Sequence, residues 1–520
     1  MTELVVVGID GAGFHLLDEW LDEEILPTLS QLAAEGQSTK LRSCVPPVTC
    51  PAWRCYSTGV NPGKHGVFWW ENVDREEQSF SVPTSQDFTA PDVWDYLAAD
   101  DHESAVINMP TTFPPEELRG WLISGGGGVD SNEYTYPPDL RTELERRFDY
   151  QVFIPGSSRN IGDDPERVEQ VLDLVDQRFA AAEYLREEYD PEFISLTIFY
   201  SNVFHHFFWD DEVTKQLWQH IDQRLGEFLD GENVLVMSDH GSNPIHHVFN
   251  INTWLEDEGY LVTTGTVSDA LYEVGLTRNR LTNIVEQIGL KNTLKRVLPR
   301  TVISRFPNDD GTVVEQGKAD KIDWEASAAM ASGQGPVYVL AEDPEERQRV
   351  RRELRRKLAD VRTPDGRPVA REVATGEEDY DGPFVDDGPD LVLDQADNIQ
   401  ISGAIGVAEH FEEPDDWIAE NHRDGVLFAH GPDVTGDAAV EFESQPRIYD
   451  LAPTILHWFG QTVPERLDGC VLTELFAEGT DPAARTVERA ARSSETGATD
   501  VGADQTAMRE RLKDLGYLSE

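Results

Sequence analysis

A chain of 520 residues with 39% hydrophobic residues, 12 tryptophans and 22 phenylalanines has apolar side chain for a large core, which excludes a disordered protein and exceeds one minimal domain. Its 98 acidic residues against 43 basic ones give a formal net charge of -55, spread along the sequence, which excludes a nucleic-acid duplex as partner. With nine lysines in all, this is the composition of a halophilic protein from a salt-accumulating cell, because at molar salt the Debye length falls to about 3 Å and self-repulsion is screened.

The first strand, LVVVGID over 4–10, follows the initial Met with no basic leader or cleavage site. No apolar run reaches the length of a membrane span, so a soluble cytoplasmic protein is expected. Further strands are expected at 104–109, 193–199, 233–239 and 425–431. Helical patterns lie at 26–36, 91–99, 166–188 and 449–460. Continuous apolar strands alternating with helices predict an α/β fold: a mostly parallel central sheet with helices on both faces. The core is expected in two parts, 1–261 and 401–479. Between them, 262–335 reads as an inserted helical cap. Its segment 276–306 is locally basic, and it is either a cap over a site or a peripheral hairpin. Residues 336–400 read as a small α+β subdomain with the charged helix PEERQRVRRELRRKLADV. Residues 480–520 read as a flexible tail ending in a short amphipathic helix that docks back.

In such sheets chemistry gathers beyond the carboxyl ends of the strands, and polar residues collect there. Asp10 ends the first strand in GIDGAG, as a ligand or as a helix cap. In SDHGS, Asp239 and His240 pair a carboxylate with an imidazole, the mixed donors that Zn²⁺ and Mn²⁺ accept; the alternative is a plain turn. Asn202 and His206 share one helical face in NVFHHFFW, and His422 stands before the last strand. Thr49, in PPVTCPAWRCYSTG, opens a helix with Pro51 in its first turn. A hydroxyl there meets free N–H groups that suit a phosphate, but needs a metal or base to become a nucleophile. Cys44, Cys50, Cys55 and Cys470 show no zinc-ribbon spacing and are expected to be reduced thiols.

These motifs, in this order, resemble the type I phosphodiesterase/nucleotide pyrophosphatase branch of the alkaline phosphatase superfamily. They are VVVGIDG, LPTLSQLAAEG, PPVTCPAWRCYSTGVNPGKHGVF, NVFHHFFW, SDHGS, FNINTWLEDEGYL, PDLVL, ENHRDGVLFAHGP and YDLAPTILHWFG with VPERLDG. The resemblance implies an alkaline phosphatase-like fold and two divalent metal ions, zinc or alternatively manganese. Asp10, Thr49, Asp239 and His240 would hold one ion, and Asn202, His206 and His422 the other. Asn202 stands where the family has an Asp, which weakens the second site. Sulfatases of the superfamily resemble C-x-P-x-R; here Thr49 takes the Cys place and Trp53 the Arg place, which disfavours formylglycine chemistry. The implied activity is hydrolysis of a small-molecule phosphodiester or phosphoanhydride through a phosphothreonine at Thr49. The alternatives are transfer to a lipid or glycan acceptor, and a degenerate metal-binding member with little turnover. The basic segment 276–306 would supply any peripheral membrane contact.

Overall fold

The computed structural model describes residues 2–126, 133–264, 318–436, 440–492 and 504–518. Strands β1 (Leu4–Ile9), β2 (Gln37–Arg42), β3 (Ser104–Pro110), β4 (Gly120–Gly125), β5 (Thr135–Tyr136), β6 (Phe193–Ile198), β7 (Asn233–Met237) and β8 (Asp424–His430) form one eight-stranded sheet. Its order is β2-β8-β7-β1-β6-β3-β4-β5. The run β7-β1-β6-β3-β4 is parallel, while β8 runs antiparallel to both β7 and β2, and β5 antiparallel to β4. The fold is thus mixed α/β around a large, mostly parallel sheet.

The five apolar runs become strands because both faces of the sheet are covered. In β1, Val5, Val7 and Ile9 enter one core cluster, while Leu4 and Val6 enter another on the opposite face. The covering helices include Pro27–Glu35, Val93–Ala99, Pro165–Tyr189 and Leu451–Trp458. The longest starts where Asp164 caps Glu166 N with Pro165 in the first turn, and stops at Asp190, whose φ is 54°.

A separate antiparallel sheet joins Ala329–Ala331, Pro336–Val339, Leu391–Gln395 and Ala370–Thr375 in that order. The helix Pro344–Ala359 packs Leu354 and Leu358 into its core with Val337, Leu391 and Leu393. Three of its strands and the helix lie within residues 336–400, and the edge strand Ala329–Ala331 lies within 262–335, the expected cap. The rest of that cap, 265–317, including all of 276–306, lies outside the described residues. Near the chain end, Arg489–Ala490 pairs with Val463–Pro464.

Helix α1 (Thr49–Thr58) is buried along its whole length. Arg54 anchors it: Nη1 lies 2.7 Å from Asp92 Oδ2, with both side chains nearly inaccessible, and Nη2 donates to Thr111 O at 2.6 Å. Removing one partner of a buried ion pair leaves the other charged in a low dielectric. Arg54→Met is therefore expected to cost about 3–5 kcal/mol of stability, read by urea unfolding at constant KCl; a loss below 1 kcal/mol would show that Asp92 finds another partner.

Candidate active site

Asp10, Asn202 and Asp239 follow β1, β6 and β7, which are neighbours and parallel, so their carboxyl ends meet at one edge of the sheet. Asp10 is oriented from α1. Gly8 lacks a side chain where a Cβ would fall 2.3 Å from the Trp53 ring. The indole therefore lies across β1, and its Nε1 donates to Asp10 Oδ2 at 3.0 Å. Gly11, at φ 71°, is the touching point of the three strand ends. Its N–H donates to Asp239 Oδ1 at 3.2 Å, and a Cβ there would sit 2.3 Å from Asn202 Oδ1.

Thr49, the first residue of α1, is fully buried, with Oγ1 3.0 Å from His240 Nε2. His240 Nδ1 lies 2.8 Å from Gly241 O, so Nδ1 carries the proton and Nε2 the lone pair. That lone pair faces Asp239 Oδ2 at 3.2 Å and Asp10 Oδ1 at 3.8 Å. Burial, and then the charge of Asp239, push the Asp10 carboxyl well above its ordinary range, and burial likewise raises Asp239. Burial lowers His240 to about 4, keeping its imidazole neutral.

Helix α2 (Tyr200–Phe208) carries Asn202 and His206. Asn202 stands beside the Asp10 carboxyl, and its Oδ1 accepts from Ser242 Oγ at 3.3 Å. His206 Nδ1 is 2.8 Å from Ala419 O, and the ring stacks on Trp417 at 3.6 Å. Its Nε2 has no hydrogen-bond partner. His422 makes a different set of contacts. Its backbone pairs with Gly241, but its Nε2 lies 3.0 Å from Asp397 Oδ1 and 3.1 Å from Arg371 Nη2, and Nδ1 accepts from Asp424 N. The structure thus brings together Asp10, Thr49, Asp239 and His240, sets Asn202 beside them, and turns the His422 side chain to a different set of contacts.

The model of the type I phosphodiesterase/nucleotide pyrophosphatase family matches residues 4–422. The chain belongs to that family. It is a phosphoester hydrolase of the alkaline phosphatase superfamily. No curated protein sequence matches it. Among solved structures, phosphonoacetate hydrolase from Sinorhizobium meliloti 1021, in complex with phosphonoacetate, superposes with a TM-score of 0.55 at 15% identity, covering 87% of this chain and 94% of that one. Murine ectonucleotide pyrophosphatase/phosphodiesterase 5, as an inactive form in complex with AMP, superposes with a TM-score of 0.51 at 13% identity, covering 92% and 100%. These likenesses fix the fold.

Members of the family typically depend on divalent metal, and the residues present fit such a cation. Asp10, Asp239 and His240 each offer one ligand atom, all within 4.8 Å of one another. Asp10 Oδ1 and Asp239 Oδ2 are buried with no hydrogen-bond partner, an arrangement that costs about 1–3 kcal/mol per atom unless something satisfies it. Two carboxylate oxygens and a neutral imidazole suit a borderline divalent ion.

Other residues of the stretch PPVTCPAWRCYSTGVNPGKHGVF make structural contacts. Lys64 pairs with Asp468, and buried His65 contacts Cys55 Sγ and Val67 N. All four cysteines are free. Sequence reading missed Trp53 as the support of Asp10, although Gly8, two residues before the carboxylate, was the available signal. It also missed His205, whose Nε2 accepts from Trp218 Nε1 at 2.9 Å beneath the site.

A saturating divalent cation is expected to raise the thermal midpoint, since a ligand at a hundred times its Kd adds about 2.7 kcal/mol. Asp239→Asn should remove most of that shift. Scanning calorimetry at fixed KCl checks both, and an equal shift in the variant would place the cation elsewhere.

Proposed function

We propose that this chain hydrolyses phosphodiester or phosphoanhydride bonds of a small molecule, with Thr49 as nucleophile and a phosphothreonine intermediate. The observation that carries this reading is the 3.0 Å contact of Thr49 Oγ1 with His240 Nε2, inside the cluster formed with Asp10 and Asp239. Zn²⁺, or alternatively Mn²⁺, held by Asp10, Asp239 and His240 beside Thr49, would supply Lewis acidity that lowers the hydroxyl pKa and offsets phosphoryl charge.

The chain's own groups do the rest. Trp53 Nε1 and Gly11 N each occupy one carboxylate oxygen and leave the other facing inward. The start of α1 presents its N-terminal dipole to an anionic phosphoryl group beside Thr49. Thr49 Oγ bonds to phosphorus as the bond to the leaving oxygen breaks. The threonine proton passes to solvent, and the leaving oxygen takes one back. Water then cleaves the Oγ–P bond, leaving its hydroxyl on phosphorus and restoring the proton to Thr49.

At the second set, His206 Nε2 is free but Asn202 supplies no negative charge and His422 is engaged with Asp397 and Arg371. We read one tight cation, at Asp10, Asp239 and His240, rather than two. The net charge of -55 supports a working environment of molar KCl, which suits cytoplasm of a salt-accumulating cell.

Turnover of an aryl phosphodiester, beside the matching monoester, in molar KCl with Zn²⁺ or Mn²⁺ tests the reading. Thr49→Ala is expected to lower diester turnover roughly a thousandfold or more with folding and cation binding retained; undiminished turnover would remove Thr49 as nucleophile. Asn202→Asp is expected to add a second cation equivalent in equilibrium binding, and a stoichiometry still at one would place the limit at His422.

A further inference from the structure

The helix α3 (Gln505–Leu515) packs against Val82, Glu71 and the start of α2. Gln505 exchanges two hydrogen bonds with the backbone of Val82, at 2.8 and 3.0 Å. Arg509 Nη1 lies 3.2 Å from the buried Glu71 carboxylate. Arg511 Nη2 donates to Tyr200 Oη at 2.9 Å, at the start of α2. Met508, Leu512 and Leu515 join the main core cluster. The chain then turns at Gly516, whose φ is 92° and where a Cβ would fall 2.7 Å from the Trp417 ring. That turn drives Tyr517 inward.

The Tyr517 ring stacks on Trp70 at 4.4 Å and 29°, and meets the His206 ring edge-on at 5.7 Å. Its hydroxyl is buried and has no hydrogen-bond partner. The charges of Asp10 and Asp239 act on it, and the Asn202 side chain is its neighbour. Five buried polar atoms in this region therefore lack partners: Asp10 Oδ1, Asp239 Oδ2, His206 Nε2, Asn202 Nδ2 and Tyr517 Oη. They divide by chemistry. The first three are lone-pair acceptors, and the last two are neutral donors. Acceptors call for a cation, and donors call for an anion.

Resting on the phosphoester reading above, we propose that Tyr517 is a catalytic residue whose hydroxyl donates a hydrogen bond to a non-bridging phosphoryl oxygen. With Asn202 Nδ2 it forms a neutral donor pair on the side of the site where the family places its second cation. A fixed donor aimed at an oxygen that gains charge in the transition state stabilises that state more than the ground state. The pair also explains why a neutral amide is tolerated at position 202: a carboxylate there would repel the same oxygen.

Tyr517→Phe in the full chain keeps the ring on Trp70 and removes only the hydroxyl. Two measurements decide. The first is kcat and KM for the aryl phosphodiester; the second is the affinity for orthovanadate, a pentavalent mimic of the reacting phosphorus, in the cation-loaded protein. The expected result is a fall in kcat of about a hundredfold with KM little changed, a matching loss of vanadate affinity, and unchanged cation affinity and thermal midpoint. If the wild type turns over no phosphoester, the proposed function fails, and vanadate binding alone decides the role of Tyr517. Equal vanadate affinity in both proteins, or kcat that stays level or rises, overturns the proposal; a rise would make the tyrosine an obstruction. Should Tyr517→Phe lower the thermal midpoint, Tyr517→Met is measured beside it. A hydroxyl role predicts the same loss in both variants, and a packing role predicts a larger loss in Tyr517→Met.

Discussion

Everything at the centre of this protein depends on holding two carboxylates together out of water. Asp10 and Asp239 are fully buried, end neighbouring strands, and each keeps one oxygen without a partner. Burial and mutual repulsion oppose their ionisation. The fold tolerates the pair by occupying the two outer oxygens with fixed donors, an indole N–H and a backbone N–H. That requires glycine twice: Gly8, to let Trp53 cross β1, and Gly11, to let Asn202 and Asp239 close in. The inner oxygens, with the His240 lone pair, then form a site whose vacancy would be costly and whose natural complement is a divalent cation.

Much of this was legible in the sequence, for a physical reason. A parallel sheet covered on both faces needs unbroken β-branched strands, so LVVVGID, FISLTIF and NVLVMSD are recognisable without partners. The same topology places whatever follows those strands on one edge, which is why Asp10, Asn202 and Asp239 group together on sequence alone. His422 shows where this logic stops. It belongs to a strand, Ala419–His422, in which successive side chains alternate faces. Asn421 takes the face toward the segment before Thr49, donating to Pro47 O at 2.9 Å, and His422 takes the other, toward Asp397 and Arg371. A motif match fixes the position of a residue along the chain, but register fixes the direction of its side chain, and register depends on pairing with Gly241.

Tyr517 was illegible for a different reason. The Ala-, Thr-, Ser- and Gly-rich stretch before it has the composition of a linker, and the amphipathic pattern beyond it suggests a helix that docks back without saying where. What fixes that helix is tertiary: the Gln505 bonds to Val82, the Arg509 contact with Glu71 and the Arg511 contact with Tyr200. Each of those partners belongs to a segment hundreds of residues earlier, so no local pattern names the residues the helix docks on.

The consequence is that side chains far apart in the sequence act on one another. Asp10 lies at the end of the first strand and Tyr517 just past the last described helix, and the charge of the Asp10 carboxylate acts on the buried Tyr517 hydroxyl. A cluster of acceptors alone would bind a cation and leave a phosphoryl anion held from one side. Neutral donors opposite it, Asn202 and Tyr517, add attraction for the anion without adding a charge that the buried carboxylates would have to share. In a protein whose net charge is -55, an anionic substrate is repelled at long range unless salt screens the field, so its affinity must come from contacts inside the pocket. The pairing of a cation cradle with neutral donors supplies those contacts, and it does so with groups whose strength does not vary with the ionic strength outside.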